Sequence, residues 1–160
     1  MLLLRFYRLL TLWICLISAG VLGLVFIAEH LYGIKPCEWC IYQRCPYVFL
    51  LVLNLIWLFN PLSVRIETAI NTFILAINAM LPLVHVLIEK GYIHVKCGVT
   101  KIGIRGSIQG ALQALSNNRS CVKVTWEYFG WSMAQWHLVF ATCILVAYIW
   151  GVIHEQKRSA

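Results

Sequence analysis

Four long apolar stretches carry almost no charge, and they decide what this chain can fold into. Residues 9–28 hold no charged side chain, residues 40–59 hold one (Arg44), residues 68–88 hold none, and residues 136–153 hold none when His137 is neutral. A bilayer core of about 30 Å is crossed by about 20 residues of helix. Backbone groups find no water there, so a spanning segment must be a helix or part of a closed barrel. A barrel strand would alternate apolar and polar residues; these runs do not. The expected fold is an all-α membrane protein, a bundle of four transmembrane helices in one domain of 160 residues.

Composition supports this. The chain is 61% hydrophobic and 12% charged, against about 45–50% and about 25% in soluble domains. The net charge of +7 is spread between and beside the apolar runs. With no basic patch and no reader motif, it does not point to nucleic acid. The first run follows Arg5 and Arg8, as a signal peptide would. Cleavable signal cores are about 7–15 residues, however, and this run continues to Ala28, so an uncleaved helix is expected.

An even number of spans puts both termini on one side. Arg5 and Arg8 place that side in the cytoplasm by the positive-inside rule. Segments 1–8, 60–67 and 154–160 then lie inside, and loops 29–39 and 89–135 outside. The inner segments hold five Lys or Arg in 23 residues and the outer loops seven in 58, so the bias is one of density. Asn60–Glu67 reads as a short inner turn. In the long second loop, Ile104, Ile108, Leu112 and Leu115 share one helical face opposite polar residues. This predicts a short amphipathic helix over 104–117, lying on the membrane or on the bundle itself.

The cysteines sort by location. Cys15 and Cys143 lie mid-span and read as small buried hydrophobes; Cys45, also within a span, reads as structural packing. Four remain in outer loops: Cys37, Cys40, Cys97 and Cys121. An even number of cysteines facing an oxidising compartment reads as disulfides, with three pairings open. Pro36 suits the first turn of a helix. A second membrane helix starting there, with a kink at Pro46, puts Cys37 and Cys40 at its positive end, where thiolates are stabilised. A start at Pro46 would leave 14 apolar residues, about 21 Å of helix, which is too short to span.

Arg44 follows Cys40 by four residues, one turn deeper. A charge inside a span is functional by default. It can sit beside a Cys40 thiolate, stabilise negative charge on an electron acceptor, or snorkel to headgroups. Asn71, Asn78 and His85 recur every seven residues on the third helix, which predicts that they face the bundle interior. There His85 can hydrogen-bond a buried polar cofactor or serve as interhelical glue.

"KPCEWCIYQRC" at a helix mouth, a second outer loop with two cysteines, and "WEYFGWSMAQW" leading into the last helix resemble the DsbB family of bacterial inner-membrane disulfide-forming proteins. The likeness in layout covers nearly the whole chain. It implies a membrane protein-disulfide:quinone oxidoreductase that reoxidises a periplasmic DsbA-type dithiol oxidase and passes electrons to ubiquinone or menaquinone. It further implies a quinone-proximal Cys37–Cys40 disulfide and a partner-facing Cys97–Cys121 disulfide. Cys97 would form the mixed disulfide, Cys121 would exchange with Cys37, and Cys40 would engage the quinone beside Arg44. The resemblance gives His85 no role; its assignment to the quinone rests on its position alone. Where some members carry a histidine after the third helix, Lys90 follows Glu89 here.

Three other readings have distinct signatures. A zinc site from Cys37, Cys40, His94 and Cys97 has plausible spacing but would strand Cys121, so no metal is expected. A tetraspanin-like scaffold with two structural disulfides would show a paired Cys-Cys-Gly, where this chain has only "KCG". A quinone enzyme of the vitamin-K-epoxide-reductase type would share the mechanism and the four-helix layout.

Overall fold

The computed structural model describes residues 2–32, 38–60, 63–93 and 127–159. These form helices α1 (Leu2–Tyr32), α2 (Glu38–Tyr42), α3 (Cys45–Phe59), α4 (Val64–Glu89) and α5 (Met133–Ser159), with a two-stranded hairpin, β1 (Glu127–Tyr128) and β2 (Trp131–Ser132), ahead of α5. Four segments are long and apolar enough to cross a membrane: Phe6–Leu31, Trp39–Phe59, Val64–Glu89 and Met133–Arg158. The helices run beyond the expected apolar runs because charged and polar residues extend each helix into the interface. The inner turn is correspondingly shorter than expected, since α4 already starts at Val64. The expected amphipathic helix over 104–117 and the loop cysteines Cys37, Cys97 and Cys121 lie outside the described residues.

The second span, Trp39–Phe59, is interrupted near Pro46, where the sequence predicts a kink. It breaks at Gln43–Arg44, between α2 and α3. Pro46 has no N–H to donate, and its ring would clash with the carbonyl four residues back. The chain therefore stops α2 and restarts, with Arg44 as N-cap and the proline in the first turn of α3, where it is tolerated. Pro82 by contrast lies inside α4 and is fully buried, as membrane helices allow.

α1 packs mainly on α3 and α4 mainly on α5, and the α3–α4 contact joins the two pairs. All four long helices meet in one apolar cluster: Ile14, Leu50, Leu75, Tyr148 and Val152. Small residues allow close approach, with Ser18 and Ala141 almost wholly buried. This is expected where lipid is as apolar as the helix faces and packing must drive association. Large apolar side chains such as Leu16, Leu24, Phe49 and Phe73 point outward, towards lipid. Threonine hydroxyls in the spans are satisfied locally: Thr11, Thr68, Thr72 and Thr142 each donate to the carbonyl four residues back at 2.7–2.9 Å.

Asn54 and Asn71 exchange two hydrogen bonds, 2.9 and 3.1 Å, between α3 and α4. Both are buried. Asn71→Leu leaves the Asn54 amide partly unpaired in hydrocarbon, and thermal unfolding in detergent is expected to show a loss of about 0.5–2 kcal/mol. Asn54→Leu/Asn71→Leu removes both partners and is expected to recover most of it. Equal losses in the single and double variants would show that the pair contributes nothing.

Two turns fix the cysteine-loop end of the bundle. α4 closes in a Schellman motif: Tyr92 N–H donates to Leu87 C=O at 2.9 Å and Gly91 N–H to Ile88 C=O at 3.0 Å. Gly91 has φ +75°, which suits glycine. The hairpin pairs Glu127 with Ser132 and Tyr128 with Trp131. Its two-residue loop, Phe129 and Gly130, has φ of 54° and 73°, as a type I′ turn requires.

Candidate redox site

Among the described residues singled out by sequence, Cys40, Arg44 and His85 lie at one end of the bundle. Of the four loop cysteines, Cys40 is among the described residues, half-buried in α2. Arg44 follows at the α2–α3 break. Its guanidinium Nη2 lies 2.5 Å from Glu29 Oε1, near the end of α1, with both side chains about a quarter exposed. None of the three readings of Arg44 included this partner: the guanidinium is paired with a carboxylate. The pairing makes sense for Glu29, which lies in the last turn of α1, where the helix's partial negative charge disfavours an acid.

Asn71, Asn78 and His85 are all buried, so the seven-residue spacing did mark an interior face. They do different things. Asn71 binds Asn54. Asn78 is fully buried, with its amide beside the Tyr47 hydroxyl but outside good hydrogen-bond geometry. His85 lies in a network that joins three parts of the fold. Its Nδ1 is 3.0 Å from Gln43 Nε2, at the α2–α3 break. Its Nε2 faces Glu89 Oε1, one turn on, at 3.9 Å. The Trp39 ring, next to Cys40 in the chain, stacks on it at 6.4 Å.

The network continues in both directions. Gln43 Oε1 is 2.9 Å from His137 Nδ1 on α5, and His137 Nε2 is 3.0 Å from the Tyr47 hydroxyl on α3. At the other end Ser132 Oγ donates to Glu89 Oε2 at 2.6 Å, which ties the hairpin to α4. Gln135 caps this corner through Ser132 N–H at 2.9 Å. Buried polar groups in a membrane protein are costly unless satisfied, and here one glutamine satisfies two histidines.

Sequence reading missed Glu29, Gln43, Tyr47, Glu89 and His137. Two signals were available. His137 is the one basic side chain in the fourth apolar run, and Glu89 stands four residues from His85 on the same face. Cys45 was misassigned: it is exposed rather than packed in the core, with its thiol 3.8 Å from the Ile41 carbonyl. The break before Pro46 turns it outward. Cys143 is likewise exposed, while Cys15 is buried. Among the described residues no group of three His, Cys, Asp or Glu side chains could hold a metal ion.

Known proteins match this arrangement along most of the chain. The family model for disulfide bond formation protein DsbB matches residues 7–151. Disulfide bond formation protein B of Aromatoleum aromaticum is 28% identical over 158 residues, covering 93% of this chain and 94% of the relative. That of Acinetobacter baylyi is 26% identical over 156 residues, covering 88% of each. An uncharacterized protein of Rickettsia prowazekii is 26% identical over 145 residues, covering 88% of this chain and 84% of the relative. With four membrane-spanning helices, a Cys-x-x-Cys at the mouth of the second span and a family match over nearly its whole length, the chain belongs to the DsbB family of disulfide bond formation proteins.

Proposed function

We propose that this multi-pass membrane oxidoreductase reoxidises a DsbA-type dithiol oxidase and passes the electrons to a membrane quinone. It would sit in the bacterial inner membrane with both termini in the cytoplasm and the redox loops in the periplasm. The observation that carries the reading is the meeting, at one bundle end, of the Cys40 helix, a cation inside the span and a buried polar network.

In this reading Cys97 and Cys121 form the disulfide that meets the partner. A partner thiolate attacks Cys97, Cys121 leaves as thiolate, and the second partner thiol then displaces Cys97, leaving the partner oxidised. Cys121 exchanges with Cys37, which leaves Cys40 as the thiolate nearest the membrane. Each exchange breaks one S–S bond and makes one, so no electrons are lost on the way. A DsbA-type dithiol has a potential of about −120 mV, so the final acceptor must be still more oxidising. A bound quinone supplies that two-electron, two-proton acceptor.

The donor set suits a quinone. Arg44 offers a cation at the depth of a helix mouth and His85 an imidazole. These are the residues that would hold the head group, by hydrogen bonds to carbonyl oxygen. Whether ubiquinone or menaquinone is used is decided by the same experiment: stopped-flow mixing of purified protein, reduced DsbA and each quinone in turn. Quinone reduction is expected at a rate matching disulfide formation in DsbA. Disulfide formation without quinone consumption would overturn the reading.

A further inference from the structure

The hairpin ahead of α5 has one face turned inward and one turned outward. Successive side chains of a strand point to opposite faces. Ser132 is buried, and its Oγ donates to Glu89 Oε2 at 2.6 Å. Its N–H donates to Gln135 Oε1 at 2.9 Å. The root of the hairpin is thus pinned to the last turn of α4 and the first turn of α5. The strand neighbour of Ser132, Trp131, points away from the bundle and is 46% exposed.

The tip of this pinned arm is aromatic. Phe129 is 82% exposed and takes φ 54° in the type I′ turn. Asn, Asp or Gly ordinarily fill such a position, because a bulky side chain is disfavoured at positive φ. A turn that faced only water would gain nothing from phenylalanine there. Strain of this kind persists where the residue has a task, and the task open to an exposed ring is contact with something apolar.

The surface that the hairpin extends faces lipid. On α5, Trp136, Phe140, Cys143, Ala147 and Trp150 follow one another at steps of three or four residues, and all are exposed. They form one stripe along a membrane span, with a tryptophan at each end, as interfacial belts have. Trp131 packs on Trp136 at the near end of that stripe, ring centroids 5.3 Å apart. The outward face of the hairpin therefore continues the lipid-facing stripe past the end of the helix. Residues 128–136 hold no charged side chain to interrupt it.

We propose that the hairpin is a membrane contact in its own right. Phe129, Trp131 and Trp136 lie among the headgroups of the leaflet at the cysteine-loop end and hold the α4–α5 corner at a fixed depth. The occupant is the lipid interface rather than a soluble protein, because the patch is continuous with a lipid-facing span and lies where that span ends. The rings suit this place. The apolar body sinks towards the acyl chains, while the indole N–H meets headgroup oxygens. With no Lys or Arg in 128–136, the contact needs no anionic lipid. It involves neither quinone nor thiol chemistry, so it stands or falls apart from the proposed function.

The test uses the full-length protein in phosphatidylcholine nanodiscs, with its seven tryptophans replaced by 5-fluorotryptophan. The Trp131 and Trp136 signals in the fluorine magnetic resonance spectrum are assigned by their loss in Trp131→Phe and Trp136→Phe. Two broadening agents read depth: a lipid carrying a nitroxide just below its headgroup, and a gadolinium chelate in the water. The nitroxide lipid is expected to broaden Trp131 as strongly as Trp136, within about twofold. Gadolinium should broaden Trp131 at least about threefold less than free 5-fluorotryptophan in the same buffer. Phe129→Asn suits the turn better but removes the ring, and should weaken the nitroxide effect on Trp131 about threefold while the other signals stay in place. Should that variant not fold, the wild-type broadening decides alone. A Trp131 signal reached by gadolinium and not by the nitroxide lipid would overturn the proposal. So would protection from both agents, which would mean that protein covers the face. Gadolinium protection that appears only when a soluble dithiol protein is added would give the face to that protein instead. An unchanged nitroxide effect in folded Phe129→Asn would remove the tip from the contact and overturn its assigned role.

Discussion

Replacing Cys37 or Cys97 by serine is expected to reduce reoxidation of a DsbA-type partner to the uncatalysed rate. The reason is chemical rather than structural. In a relay of disulfide exchanges each sulfur acts in turn as attacked atom, leaving group and nucleophile, and a hydroxyl can do none of these. No other thiol can stand in. Cys15 is buried mid-span on α1, Cys143 faces outward from α5, and the Cys45 thiol rests on the Ile41 carbonyl. Cys143→Ser is therefore expected to keep wild-type activity and serves as the control. The measurement is oxidation of reduced partner under turnover, with quinone present. Normal partner oxidation by either Cys37→Ser or Cys97→Ser would remove the relay from consideration. A zinc site would show itself differently, as about one equivalent of zinc in the purified protein lost in the same variants.

The architecture was legible because lipid enforces a one-to-one rule between apolar length and helix. The interior face of α4 was legible for a similar reason. Asn71, Asn78 and His85 repeat every seven residues, and polar groups in a span avoid lipid. Their partners were not legible. Whether His85 meets Gln43, or Asn71 meets Asn54, depends on the rotation and depth of two helices relative to each other, which no single helix's pattern encodes. The interruption at Gln43–Arg44 was legible from Pro46 as a kink in the second span. A proline within a helix costs about 3 kcal/mol, and a second start at Pro46 avoids that cost while α2 supplies the missing length. That break also explains why Cys45 turned outward and why Gln43 reaches across the bundle. Glu29 was read as a loop residue because the first apolar run ends at Ala28. The helix in fact continues to Tyr32, and the acid hangs from its last turn within reach of Arg44.

The Glu29–Arg44 pair makes the role of Arg44 separable from its structural contribution. Arg44→Met leaves the Glu29 carboxylate at the membrane edge without its cation. Removing one partner of a fully buried pair costs about 3–5 kcal/mol, while exposed pairs contribute about 0.2–1 kcal/mol. At a quarter exposure the expected loss is about 1–2 kcal/mol, between those limits. Glu29→Gln/Arg44→Met removes both charges and is expected to regain most of that stability. Quinone use should not follow the same course. If Arg44 also stabilises negative charge on the acceptor, the apparent quinone KM rises about tenfold in both variants, equivalent to about 1.4 kcal/mol. Arg44→His, which keeps a donor but not a fixed charge, should fall between. Single-turnover exchange between the partner and the Cys97–Cys121 disulfide should hardly change, since no quinone enters it. A double variant that recovered stability and quinone KM together would reduce Arg44 to a clamp between α1 and α3. A KM that stayed high after stability returned would assign the guanidinium to the acceptor.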